Sequence, residues 1–232
     1  MKTVAIVLAA GSGKRMGGSV KKQYMLLGGK PVLYYSLKAF EDSFIDEIVL
    51  VTSKDDMPMI KKDIIEQYGF KKVKCMVEGG KERYHSVLCG LRAIDEADYV
   101  FIHDGARPMI DEEILKRGLD SVIKNSACVI GVPSKDTVKL SDDDGFIEDT
   151  PNRNKVWIVQ TPQIFKFPLI KEAYEDVVSK ENDLKSRGIN ITDDAMVLEQ
   201  YSDIPIALTE GSYKNIKVTT PEDIDIAECF LK

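Results

Sequence analysis

The chain has 232 residues, enough for one α/β domain with a sizeable core. Hydrophobic residues make up 44% and charged residues 30%, the balance of an ordinary globular protein. A net charge of −6 argues against nucleic acid or an anionic membrane as partner, because both need a broad basic field.

The first element is the apolar run Val4 to Ala10, bounded by glycine, which reads as a buried parallel strand. Lys2 ahead of this run imitates a short signal peptide. Glycines and cations follow the run at once, so it reads as a strand of a cytoplasmic protein. Gly11 and Gly13 let backbone N–H groups approach a ligand, and Lys14, Arg15, Lys21 and Lys22 add positive charge at the strand's carboxyl end. Ligands of open α/β sheets bind there, so the loop is a candidate phosphate cradle. Spacing excludes the two familiar cradles. Gly13-Lys14 is followed by Arg15 and preceded five residues earlier by Leu8, which fails the P-loop. Met16 stands where the dinucleotide fingerprint needs its third small residue.

Pro31 to Phe40 reads as a helix, Glu47 to Thr52 as a buried strand, Met57 to Tyr68 as a helix stopped by Gly69, and Lys72 to Val77 as a strand broken by Gly79-Gly80. Glu82 to Ile94 is a predicted helix, Tyr99 to His103 a strand, Glu112 to Lys124 a helix and Ala127 to Val132 a strand. This alternation predicts βαβ units: a Rossmann-like, mainly parallel twisted sheet with helices on both faces. After Pro133 the alternation breaks. Thr137 to Leu140 and Phe146 to Glu148, joined by a polar turn ending in Gly145, predict a protruding β-hairpin arm. Val156 to Gln160 returns as a strand. Helices are predicted over Phe167 to Val178, Asp194 to Gln200 and Pro221 to Phe230, and short strands over Ile204 to Leu208 and Ile216 to Val218. The whole chain, 1–232, reads as a single domain, with 134–155 as its one candidate subdomain. Cys75, Cys89, Cys128 and Cys229 are widely spaced and form no C-x-x-C, so they read as free thiols in a reducing compartment. No apolar run approaches the ~18 residues of a membrane span.

Several motifs follow one another along the chain. They are Leu8-Ala9-Ala10-Gly11-x-Gly13-x-Arg15-Met16 with Lys22-Gln23-Tyr24, then Gly79-Gly80-x-x-Arg83-x-x-Ser86-Val87, then His103-Asp104-Gly105-Ala106-Arg107-Pro108. Val132-Pro133-x-x-Asp136-Thr137-x-Lys139 and Arg153-x-x-x-Trp157-x-x-Gln160-Thr161-Pro162-Gln163 come next. Thr192-Asp193-Asp194-Ala195 and Asn215-Ile216-Lys217-Val218-Thr219 complete the set. In this order the motifs resemble the sugar-phosphate nucleotidylyltransferases, and within them the 2-C-methyl-D-erythritol 4-phosphate cytidylyltransferase family of the non-mevalonate isoprenoid pathway. The resemblance spans nearly the whole chain. The ribitol-5-phosphate cytidylyltransferases share most of the motifs, and Ala9-Ala10-Gly11 with His103 to Pro108 favours the erythritol family over them.

The resemblance implies attack by a polyol phosphate oxygen on the α-phosphorus of CTP, with loss of pyrophosphate and with Mg²⁺ as cofactor. Such chemistry is positioning plus electrostatic stabilisation, and needs cations rather than a covalent nucleophile. The resemblance gives Arg15, Lys22 and Lys217 the catalytic role. It gives the stretch containing Ala9, Ala10, Gly11, Gly13, Arg15 and Met16, together with Lys22, Gly80, Arg83 and Ser86, the nucleotide. Ser86 could equally bond its own helical turn. Lys217, between Ile216 and Val218 on a predicted strand, alternates away from their face. Asp104, at a strand's carboxyl end, could hold Mg²⁺, contact sugar hydroxyls or cap the next turn. His103 reads as structural, since a phosphate nucleophile is already ionised.

Arg107 is assigned to the sugar phosphate. The resemblance also implies a homodimer whose arm is exchanged between subunits, so that Thr137 and Arg153 serve the partner's substrate. An arm-to-body salt bridge is the alternative for Arg153. Thr192 reads as either a substrate contact or an N-cap, and Asp193 and Asp194 as complements of a helix N-terminus. Lys14 and Lys21 read as surface charge. Three rival functions remain: the same transfer to ribitol 5-phosphate, a non-catalytic nucleotide-binding module, and a hydride-transferring dehydrogenase, against which the failed dinucleotide spacing counts. The presence of Arg15, Lys22, Arg153 and Lys217 together counts against the second.

Overall fold

The computed structural model describes residues 1–11 and 21–231. The predicted nucleotide contacts Gly13, Arg15 and Met16, and with them Lys14, lie outside the described residues. The first half of the chain runs β1 (Thr3–Leu8), a β2–β3 hairpin (Leu26–Leu27 with Lys30–Pro31), α1 (Val32–Glu41), β4 (Glu47–Thr52) and α2 (Met57–Ile60). A wider π-helical coil, Lys61–Glu66, continues α2 and is followed by β5 (Val73–Glu78) and α3 (Arg83–Arg92). Then come β6 (Tyr99–Asp104), α4 (Glu112–Asn125), β7 (Ala127–Pro133), β8 (Leu140–Ser141), β9 (Ile147–Asp149) and β10 (Trp157–Lys166). The chain closes with α5 (Phe167–Ser179), α6 (Glu181–Ser186), α7 (Asp194–Tyr201), β11 (Ala207–Glu210) and α8 (Glu222–Leu231).

Seven strands form one sheet in the order β11-β7-β10-β6-β1-β4-β5. All neighbouring pairs are parallel except the two made by β10, which runs antiparallel between β6 and β7. The mainly parallel α/β expectation is therefore met. Continuous apolar runs arise because both faces are covered. Val4 and Ile6 of β1 pack with α3, α5 and α7 on one face, while Ala5 and Val7 pack with α1 and α4 on the other. A third, smaller cluster of Leu27, Val32, Val218 and Ala227 seats α8 against the β2–β3 hairpin and α1.

Several elements differ from the sequence expectation. The strand expected at Val156 to Gln160 continues to Lys166. Pro162 argues against a central strand, but the register shifts between Val159 and Gln163, so this proline sits in an irregularity and no ladder bond is needed from it. The strand expected from Ile204 begins at Ala207 instead, after Pro205, which cannot donate. Ile216 to Val218 is no strand: Val218 donates to Ala106 O (2.8 Å) and its side chain is buried in the third cluster, so the alternation reflects one apolar anchor rather than a ladder. The β2–β3 hairpin and α6 were not anticipated. The arm's ladder is shorter than expected, pairing Leu140 with Asp149 and Ser141 with Ile147, and residues 139–150 are exposed throughout.

Candidate active site

The sheet order reverses between β1 and β6, since β4 and β5 extend one way from β1 and the remaining strands the other way from β6. Such a switch point opens a crevice at the carboxyl ends of the strands. A cavity of about 420 Å³ lies there, lined by Ala9, Ala10, Gly11, Lys22, Gly80, Arg83, Ser86, Asp104 and Lys217 among others. The predicted nucleotide and catalytic residues that are described thus meet in one place.

Local bonding explains how. Ala9 N–H donates to Val51 O (2.7 Å), carrying the β1–β4 pairing past the strand end. Gln23, buried, donates from Nε2 to Ala9 O (2.7 Å) and Gly11 O (3.1 Å), which pins the start of the glycine loop. A Cβ on Gly79 would stand 2.5 Å from that of Ala10, so only glycine lets this turn approach the loop. Ser86 Oγ accepts the Gly80 N–H (3.0 Å) and donates to Glu82 O (3.2 Å). Ser86 thus bonds its own helical turn, as the alternative reading has it, and it also lines the cavity wall. Lys21, read as surface charge, is instead an anchor, with its ammonium 2.6 Å from Asp56 Oδ2.

Asp104 is the centre of the charge arrangement. Its carboxylate meets Lys217 Nζ at 2.7 Å, Arg83 Nε at 3.3 Å and Arg107 Nε at 3.8 Å. Burial alone would raise its pKa, but Arg83 and Lys217 outweigh burial and hold it well below the usual carboxylate range. Arg83 is in turn clamped end-on by Asp194, with both nitrogens at 2.8 Å. Asp194 is fully buried and also accepts from Tyr174 OH. Burial opposes the charge on Arg83, yet Asp194 and Asp104 raise its pKa well above the ordinary value. Asp194 is thus an ion-pair partner as well as the first residue of α7. The N-cap is Asp193, which accepts from Met196 N–H (2.9 Å).

His103 is buried on the other side of β6. Thr161 Oγ1 accepts the Asp104 N–H (3.0 Å) and lies 3.0 Å from His103 Nδ1, while His103 Nε2 lies 3.2 Å from Arg107 O. A carbonyl can only accept, so Nε2 carries the proton and Thr161 donates to Nδ1. Burial pushes His103 down to about 4, so it stays neutral near pH 7 and structural, as expected.

A family profile for 2-C-methyl-D-erythritol 4-phosphate cytidylyltransferase matches residues 3–232. This chain belongs to that cytidylyltransferase family. A relative of that name from Lachnoclostridium phytofermentans is 52% identical over 231 residues, covering 100% of this chain and 97% of its own. One from Lachnospira eligens is 49% identical over 229 residues, covering 98% of each. The crystal structure of 4-diphosphocytidyl-2C-methyl-D-erythritol synthase from Anaerococcus prevotii is similar with a TM-score of 0.86 at 37% identity, covering 99% of this chain and 96% of that one.

Not every residue that the resemblance to the cytidylyltransferase family singled out lines the cavity. Arg107 turns its Nη1 to Asn215 O (2.9 Å). Burial lowers its pKa, with Asp104 opposing. Thr192 is exposed beside Met196 and is not the N-cap. Thr137 and Arg153 are exposed at the arm's base, and the Arg153 guanidinium reaches Lys135 O only at a long 3.5 Å. Other residues matter without having been assigned a role: Gln23, Thr161, Gln163 and Asn215. All four lie inside quoted motifs, which was the available signal. Gln163, for example, receives Ala195 N–H (2.7 Å) and donates to Asp193 (2.9 Å), tying β10 to α7.

Proposed function

We propose that this chain transfers the cytidylyl group of CTP to 2-C-methyl-D-erythritol 4-phosphate, releasing pyrophosphate. The observation that carries the reading is the placement of Lys217 against Asp104, across a cavity whose other wall is Ala9 to Gly11 and Lys22. Two anions must approach each other, and charge grows on the phosphoryl oxygens in the transition state. Arg83, Arg107 and Lys217 outnumber Asp104 and Asp194, so the site keeps a positive excess for those anions. Asp104 holds the Lys217 ammonium in place before substrate arrives, and Lys217 then shares its donors with the oxygens of the reacting phosphorus. Lys22 and Arg15 serve the triphosphate and the leaving pyrophosphate. The backbone of Ala9, Ala10 and Gly80 and the Ser86 side chain face the base, while Arg83, with its Nε toward Asp104 and one N–H of each terminal nitrogen given to Asp194, offers the two N–H that are left to the cavity.

Mg²⁺ is proposed as the cofactor, and the described residues bear on how it is held. Among them no three His, Cys, Asp or Glu side chains gather as a metal site, and both Asp104 oxygens face cations. This donor set does not fit a resident metal. Mg²⁺ suits few protein ligands and many phosphate and water oxygens, so it is proposed to arrive with the triphosphate.

A homodimer is proposed for the arm. Phe146 and Ile147 are 71% and 66% exposed, and Leu140 and Ile158 near them are also open. A two-stranded hairpin is marginal alone, and such apolar exposure favours a second copy as cover. Pairing of arms would bring Thr137 and Arg153 to the partner's substrate. The four free thiols support a reducing, cytoplasmic setting.

The test is pyrophosphate release from CTP with methylerythritol phosphate and, separately, with ribitol 5-phosphate. Release with the first and not the second is expected. Release favouring ribitol phosphate would reassign the acceptor, and release with neither would overturn the enzyme reading.

A further inference from the structure

Lys217 rides on a strap, residues 211–218, that contains no helix or strand. A flexible lysine on an irregular segment needs another device to meet Asp104 at 2.7 Å. One fastening lies just after it, where Val218 N–H donates to Ala106 O (2.8 Å). The other lies two residues before it, at Asn215, which is completely buried. Asn215 Nδ2 donates to Thr161 O (2.9 Å) and faces Gln160 Oε1 at 3.4 Å, while its own carbonyl accepts from Arg107. Gln160 adds a second tie from Nε2 to Ser212 O (2.8 Å).

Thr161 makes this more than a loop anchor. Its hydroxyl accepts the Asp104 N–H and its carbonyl accepts from Asn215. One residue of β10 therefore holds both members of the Lys217–Asp104 pair, Asp104 through its backbone N–H and the lysine's segment through Asn215. Asn215 Oδ1 is buried with no hydrogen-bond partner among the described residues. An idle buried acceptor is costly, and an apolar side chain would avoid the cost. The donor half of the amide is what this position uses.

We propose that Asn215 is a positioning residue for cytidylyl transfer, holding Lys217 at its reacting position by tying the strap to Thr161. This rests on the reading of Lys217 as a catalytic cation. Misplacement by about 1 Å costs on the order of 100-fold in rate, so loosening the tie acts on turnover more than on nucleotide binding.

The experiment measures kcat and KM for CTP in Asn215→Ala, made in the wild-type chain and in Lys217→Ala. In the wild-type background kcat is expected to fall about 30-fold with KM for CTP changed less than about 2-fold, and in Lys217→Ala the further loss is under about 2-fold, because the two substitutions remove one function. An unchanged kcat, a loss carried by KM, or equal losses in both backgrounds would overturn the proposal. If Asn215→Ala does not fold, Gln160→Leu loosens the same strap through Ser212 and is held to the same non-additivity. A wild-type chain without turnover would remove the underlying reading before any variant is compared.

Discussion

The cluster around Asp104 and the arm were both expected to touch substrate, and the chain builds them differently. Asp104 ends a central strand, is nearly buried and is surrounded by three cations fixed from α3, the following turn and the 211–218 strap. The arm holds two short strands with its apolar residues in the open. Among the described residues, one region pairs its charges within the chain, while the apolar side chains of the other stand exposed. Buried charge must be paired where it stands, whereas an exposed hairpin gains its packing only from another surface.

The largest effect that would break this contrast comes from Lys217→Ala. Loss of the cation is expected to cut kcat by about 10²- to 10³-fold, the scale for removing one transition-state contact. The Lys217 side chain is 39% exposed, and Arg83 and Arg107 remain to hold Asp104, so the melting temperature should move little. Steady-state kinetics and thermal melts on one sample check both halves. A melting loss proportional to the activity loss would make the lysine structural.

Asp194→Asn should reverse that pattern. It leaves the partly buried Arg83 without its clamp, a change costing about 3–5 kcal/mol, or about 6–20 °C for a chain of this size. Thermal denaturation reads it directly.

Acid should weaken the cluster before it weakens the arm. His103 is held neutral by burial, which lowers its pKa to about 4 from the ordinary 6.5. Between those values the unfolded chain binds the extra proton, so stability falls as pH drops from near 6.5 toward 4, by up to about 3 kcal/mol. Asp104, lowered in the folded state, contributes stability above its unfolded pKa and loses it at still lower pH, in the same direction. His103→Asn is expected to flatten the melting temperature between pH 7 and pH 5. A slope unchanged in the variant would locate the acid sensitivity elsewhere.

The smallest effect on folding is expected at the arm. Phe146→Asp should change protomer stability within about 0.5 kcal/mol, as for an exposed substitution. The same variant should shift the chain toward monomer in sedimentation and raise KM for the polyol phosphate. A dimer unaffected by this charge would place the interface on another surface.

The same contrast explains what the sequence made legible. The strands expected within Val4 to Ala10 and over Glu47 to Thr52 and Tyr99 to His103 are present at Thr3–Leu8, Glu47–Thr52 and Tyr99–Asp104, because strands buried on both faces must be apolar throughout. Gly80, Asp104 and Lys217, singled out on the sequence, do come together at one cavity, since close approach and charge at a strand end are local properties. What was not legible depended on distant partners. Asp194 is the helix-start acid expected, but only the fold brings Arg83, 111 residues away in sequence, onto it. Arg107, assigned to the sugar phosphate, also gives one of its nitrogens to the Asn215 carbonyl, which no local pattern shows. Ile216 to Val218 looked like a strand because one buried valine beside a lysine imitates alternation.

A subunit-mixing assay tests most directly the claim that the cation cluster acts within its own chain while the arm acts on its partner. Lys217→Ala and Arg153→Ala are each expected to be nearly inactive. After subunit exchange, a mixed dimer should contain one intact site, made from the Lys217 of one protomer and the Arg153 of the other. An equimolar mixture should therefore recover about a quarter of wild-type pyrophosphate release, since half of the dimers are mixed and each has one working site of two. An activity no greater than the mean of the two separate variants would contradict the account.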